Sequence, residues 1–222
     1  MTIRHHLDDA TLLAFAAGTL PPELSLVAAA HLDACPRCRR ELALLETLGA
    51  AMLEDLPAAE LSRDAPAPGA HEVEAQGQRR ALPPSAAPAI PGLPRTIAGL
   101  LPAAYEALPW RRLGRGLWRY DLTVPGAARE RGGGSVYLLK ASRGTTIPEH
   151  SHAGGELTLV LEGAFSDSTG RYAVGDIADL DDHNAHTPVA CPDAGCICIV
   201  GEEGPPAFRS IGARVVQRLR PA

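Results

Sequence analysis

The chain has 222 residues, 45% hydrophobic and 21% charged, an ordinary globular composition with material for one large domain or two small ones. Acidic residues outnumber basic ones 26 to 21, and the excess sits in the first sixty residues, where nine Asp/Glu meet four Arg. Arginine runs are short and lack interleaved aromatics, which argues against direct nucleic-acid binding, while the acidic start mildly favours a basic protein partner.

The opening residues turn acidic at Asp8 and Asp9 before any long apolar run, and the longest such runs, as at 12–17, fall far short of a membrane span. Neither a signal peptide nor membrane association is expected. Five cysteines, two of them in Cys35-x2-Cys38 beside a histidine, do not suit a secreted disulfide framework and point to reducing cytoplasm.

In chain order, 8–17 reads as a helix capped by Asp8 or Asp9, with Leu12, Leu13, Phe15 and Ala16 as its apolar face and Gly18 as its stop. Pro21-Pro22-Glu23 opens a second helix to about residue 34, with Leu24, Leu26, Val27 and Ala30 inward. Pro36 opens a third, to about residue 56, striped by Leu42, Leu45, Leu48 and Met52. Three helices in some fifty residues make a bundle whose core alone is marginal, a size at which a structural metal commonly helps.

Between 57 and 94 eight prolines, with Ala, Ser and Gly, read as a linker holding one weak helical patch. From residue 117 onward the pattern becomes short runs split by Gly, Pro and Asp, at 118–124, 135–140, 156–161, 176–180, 196–201 and 214–219. That spacing predicts an all-β sandwich or jelly-roll barrel. The fold class is therefore α then β, a small metal-stabilised helical bundle followed by a barrel.

Two constellations carry chemistry. His31-x3-Cys35-x2-Cys38 brings three ligands together across a helix pair, with both thiols near a helix N-terminus that favours thiolate. Tetrahedral zinc needs a fourth ligand; the His5-His6 pair is the nearest supply, and His6 is preferred over His5. The competing reading makes Cys35 and Cys38 small core residues and His31 a surface group. A thioredoxin-type use of the thiols lacks the βαβ pattern it needs.

The second constellation is Gly144-x5-His150-x-His152-x3-Glu156-x6-Gly163, followed by Gly175-x10-His186. Residues two apart on a strand share a face, which points His150, His152 and Glu156 together into a barrel. Three histidines and a carboxylate suit zinc, iron, manganese or nickel. His183 has the wrong parity with His186 to be a further ligand, and His71 reads as solvated. Cys191, Cys196 and Cys198 read as buried apolar cysteines, with Cys196-x-Cys198 as an oxidant-sensitive pair the sharper alternative.

The first set, His6 with His31-x3-Cys35-x2-Cys38 in an acidic helical domain, resembles the bacterial zinc-binding anti-sigma factors. The second matches the first cupin motif in every spacing, and in the second cupin motif Asp181 and His183 replace the expected Pro and Gly. Together, the chain is similar to the ChrR-like anti-sigma factors, which join a zinc anti-sigma domain to a C-terminal cupin-like domain. The resemblance implies an anti-sigma domain over 1–82 whose fourth helix, about 62–82, is interrupted by Pro66, Pro68, Gly69 and Gly77. A Pro-rich linker at 83–95 and a cupin-like barrel at 96–222 follow.

It further implies one extracytoplasmic-function, RpoE-type sigma factor held 1:1, with no homo-oligomer. Zinc would sit in the helical domain, zinc or another divalent transition metal in the barrel, and sigma would be released when the barrel responds to singlet oxygen or related oxidative stress. No catalytic residues are implied. The alternative from another class is a dioxygenase-like cupin enzyme fused to a helical regulatory module.

Overall fold

Asp8 caps the first helix, α1 (Asp9–Ala16), its Oδ1 accepting the Thr11 N–H at 2.6 Å. Gly18 stops it with a φ of +69°, a conformation that costs glycine nothing. The second helix, α2 (Pro22–Ala34), places proline at its first position, where the missing N–H is not needed. Cys35 then turns extended ahead of Pro36 and caps the third helix, α3 (Pro36–Glu54), its Sγ accepting the Cys38 N–H at 3.4 Å.

The structure, a computed structural model, describes residues 2–57, 93–102, 104–123, 133–181 and 185–208. The expected helix at 62–82, most of the 83–95 linker, His71, His183 and the strand at 214–219 lie outside these residues. Among the described residues no helix is long and apolar enough to cross a membrane.

After a short helix, α4 (Arg95–Ala98), and a 3-10 turn at Tyr105–Ala107, the chain is antiparallel β. Its strands are β1 (Arg111–Gly114), β2 (Leu117–Leu122), β3 (Ser135–Ala141), β4 (His150–Ser151), β5 (Glu156–Ser166), β6 (Arg171–Ala173), β7 (Ile177–Leu180), β8 (Val189–Ala190), β9 (Cys196–Glu202) and β10 (Ala207–Phe208). They pair in the order β1-β2-β3-β9-β5-β6, β7 and β8 also join β5, and β10 pairs with β4. The expected antiparallel barrel class is present. Strands β1, β6, β8 and β10 were not foreseen, because such short runs carry no readable period, and the strand expected to carry both His150 and His152 is only β4, His150–Ser151.

Alternation along β3, β5 and β9 builds two apolar layers. Tyr137, Val160, Cys196, Cys198 and Val200 face the barrel interior. Val136, Leu138, Leu157, Leu159, Ile197 and Ile199 face the other way and form one continuous core with Leu24, Val27 and Ala28 of α2. The helices and the barrel thus share a core rather than touching through a linker alone. Contact is close at Gly201 on β9, where a Cβ would lie 2.5 Å from the Glu23 carbonyl oxygen of α2. Thr96 of α4 adds a tie to α2, donating from both its N–H and its Oγ1 to Asp33 Oδ2 at 2.8 Å.

Helix α3 departs from expectation. Leu42 and Leu45 pack partly against the core, but Leu48 and Met52, expected in the same stripe, are 57% and 64% exposed. The bundle is only as deep as α1 and α2, so the outer half of α3 runs past anything the described residues offer it. Leu44 (70%) and Leu56 (63%) extend this exposed line at four-residue intervals.

Candidate metal centres

The N-terminal cluster is assembled by three segments: the stretch before α1 brings His6, the end of α2 brings His31, and the start of α3 brings Cys35 and Cys38. Candidate ligand atoms of all four lie within 4.8 Å of one another. His31 Nε2 is 3.3 Å from Cys38 Sγ, while His6 Nδ1 is 3.3 Å from Cys35 Sγ and 3.6 Å from Cys38 Sγ. His31, Cys35 and Cys38 are buried and His6 is half-buried. His5 turns away: its Nε2–H donates to Arg171 O at 3.1 Å, and its ring lies 4.2 Å from that of Tyr172.

The ionisation of the cluster suits a soft cation. Burial, partly countered by the bond to Gly175 O, lowers the His31 pKa to about 4, and burial with the nearby Arg37 lowers that of His6. Both imidazoles are neutral near pH 7, as ligation requires. Burial pushes the Cys38 thiol up to about 12, so the helix N-terminus expected to favour thiolate does not suffice by itself, and a bound cation would supply the difference. The His31 Nδ1–H donates to Gly175 O at 3.0 Å, which fixes the tautomer and leaves the Nε2 lone pair facing the thiols.

In the barrel, His150 on β4 and His186 lie opposite each other in an antiparallel bridge, each N–H bonded to the other's carbonyl. His152 follows two residues after His150. Their Nε2 atoms converge, His186 lying 3.2 Å from His150 and 3.3 Å from His152. The outer nitrogens are occupied: His150 Nδ1–H donates to Pro148 O and His186 Nδ1–H to Asp167 Oδ2, each at 2.9 Å. Imidazole nitrogens facing one another at such distances suit a shared cation.

Glu156, the fourth member of the expected set, is not in the converging group. Its Oε2 lies 3.1 Å from the outer nitrogen of His152, Nδ1, out of line for a hydrogen bond, and its Oε1 accepts from Thr158 Oγ1 at 3.0 Å. Burial lowers His150, and would lower His152 too, but the Glu156 carboxylate raises it. Burial would raise Glu156, but His152 foremost among the three histidines holds it below the usual carboxylate range. Spacing put Glu156 on the correct face, yet spacing does not decide which imidazole nitrogen a carboxylate meets.

Sequence reasoning missed Asp167. Its carboxylate would be raised by burial, but bonds from His186 and Thr169 hold it at about 2. The turn residues 167–170 offered the only signal, as a place where Asp bonds its own backbone. Cys196 and Cys198 do share the interior face of β9, with sulfurs 3.2 Å apart. Cys191 lies apart from both clusters, half-buried.

The ChrR cupin-like domain family matches residues 101–204, and a zinc-finger family matches residues 10–39, the stretch carrying His31, Cys35 and Cys38. The anti-sigma-E factor ChrR of Cereibacter sphaeroides is 39% identical over 217 residues, covering 98% of this chain and 98% of that one. The chain belongs to the ChrR family of anti-sigma factors. Its fold also aligns, with a TM-score of 0.68 and 37% identity over 91% of this chain and 100% of the other, with a crystal structure of Rhodobacter sphaeroides SigE in complex with the anti-sigma ChrR. Membership in this ChrR family makes the chain a regulator rather than an enzyme, against the dioxygenase alternative.

Proposed function

We propose that this ChrR-family chain binds one extracytoplasmic-function sigma factor in the cytoplasm through its helical part, and releases it when the barrel senses singlet oxygen or related oxidative stress. Residues 1–82 would form the anti-sigma unit, 83–95 the linker and 96–222 the sensing unit. The observation that supports this best is the outer half of α3, where Leu44, Leu48 and Met52 are 70%, 57% and 64% exposed. An apolar helix stripe of this kind is an interaction surface. It leads directly out of the N-terminal cluster, since Cys35 and Cys38 sit at the start of the same helix.

Zinc in the His6, His31, Cys35 and Cys38 cluster would hold α3 at a set angle to α1 and α2, adding the stability a small helical core lacks. A divalent metal, zinc or another of the transition series, would be held by His150, His152 and His186, with Glu156 and Asp167 orienting rings. The carboxylate of Glu156 is close enough to the triad to be counted with the site. Imidazole and thiolate side chains are electron-rich, and oxidising one would loosen its cluster.

The test is transcription in vitro from a promoter served by such a sigma factor, with core polymerase and purified chain. Stoichiometric suppression by the parent, lost in a Cys35→Ala variant and relieved in the parent by photosensitised singlet oxygen, supports the reading. Suppression that survives photosensitisation rejects the sensing half, and absence of suppression rejects the whole.

A further inference from the structure

We infer that the segment from Asp167 to Asp179, running from the β5–β6 turn to β7, mechanically couples the two clusters, so that loading the barrel triad tightens metal binding at the N-terminal cluster. This rests on the reading that both clusters hold a metal. At one end, Asp167 grips His186 of the triad at 2.9 Å. Its Oδ1 also accepts from the Thr169 N–H at 2.8 Å and from Thr169 Oγ1 at 2.5 Å.

Thr169 Oγ1 is 2.8 Å from the Tyr172 hydroxyl, and the Tyr172 ring packs at 4.2 Å against His5, the neighbour of the ligand His6. Gly170 lets His5 approach, since a Cβ there would lie 3.3 Å from the His5 ring. At the other end, the buried Asp176 side chain accepts the N–H groups of Arg4 and His5 at 2.6 and 3.1 Å through Oδ1 and that of Ala173 at 2.9 Å through Oδ2. Gly175, at φ +88°, presents the carbonyl that fixes the His31 tautomer. Asp179 accepts from the Asp8 N–H at 3.0 Å, closing the clasp on the N-terminal segment that carries His6.

Both imidazoles of the N-terminal cluster are therefore oriented by barrel backbone or by an N-terminal segment the barrel clasps. The same thirteen-residue segment is anchored at its start by a triad histidine. A ring of the triad that is ligated has a fixed orientation, and Asp167 follows it. Losing the triad metal frees His186 to rotate, slackens the 167–170 turn, and removes support from His5, His6 and His31. Occupancy of one site thus changes affinity at the other, and the effect is reciprocal.

The test uses the full chain loaded with Co²⁺. Only the N-terminal cluster brings thiolates to its metal, so the sulfur-to-cobalt charge-transfer absorption reports that site and is lost in Cys38→Ala. The rate at which EDTA removes this absorption is compared between the parent and His150→Ala, with metal counted in each. The inference expects two metals in the parent, one in the variant, and loss faster by about 5- to 100-fold in the variant. Tyr172→Phe, which keeps the ring on His5 and removes one hydroxyl bond, should accelerate loss less in the parent and add little to His150→Ala.

Equal rates in parent and His150→Ala, with two and one metals bound, overturn the coupling and leave the two-metal reading standing. Fewer than two metals in the parent overturns both. If His150→Ala does not fold, Tyr172→Phe against the parent decides by the same criterion.

Discussion

Replacing Leu44, Leu48 and Met52 together by glutamine separates binding from folding. These side chains are 70%, 57% and 64% exposed, and glutamine is as good a helix former as leucine or methionine, so each change should alter stability by no more than about 0.5 kcal/mol. Full burial of such a side chain is worth about 1.5–3 kcal/mol, and roughly two-thirds of that is still available here to a partner, or about 1–2 kcal/mol each. Three together contribute roughly 3–6 kcal/mol, and at about 1.4 kcal/mol per decade Kd should rise between about a hundredfold and about ten-thousandfold. Calorimetric titration with the purified sigma factor measures the loss, and thermal unfolding measures the stability. A triple variant that binds within about threefold of the parent would refute the assignment of α3 as the contact face.

In metal-stripped protein, His31 contributes stability that is full above about pH 6.5 and is lost as pH falls toward about 4, because only the unfolded chain takes up its proton in that window. The shift spans about 2.5 pH units, worth roughly 3 kcal/mol, and denaturant titrations should show this slope in the parent and not in His31→Gln. Cys38→Ala should eliminate zinc binding and lower the thermal unfolding midpoint of the helical part while leaving it folded; an unchanged midpoint with no zinc would contradict a structural role. Gly201→Ala should push α2 off β9, because its Cβ would meet the Glu23 carbonyl, and lower stability by about 1–3 kcal/mol in thermal unfolding. An unchanged midpoint would mean that helix and sheet are not packed as described.

Much of this was legible because local chemistry and global fold agree. Asp8, Gly18, Pro22 and Pro36 punctuate the helices to within about two residues, and the sequence spacings single out His31, Cys35, Cys38, His150, His152 and His186, whose side chains the fold brings together in two clusters. What was not legible depended on tertiary partners. The stripe of α3 is correctly periodic, but periodicity does not say how far a neighbour extends, and Leu48 and Met52 lie beyond it. The shared core had a signal that went unused: β9 is apolar on both faces from Cys196 to Val200, which means a layer packs on each side. Asp167 and Asp176 act through backbone and ring contacts set by turns, which no spacing encodes.

In the proposed function the N-terminal cluster shapes a sigma-binding surface and the barrel triad governs its release. Native mass spectrometry of the chain co-expressed with its sigma factor tests this most directly. A 1:1 complex carrying two divalent metals is expected, one that dissociates after photosensitised oxidation in the parent and stays intact in a His150→Ala and His186→Ala double variant. A complex that fails to form, or that dissociates equally well without the triad histidines, would contradict it.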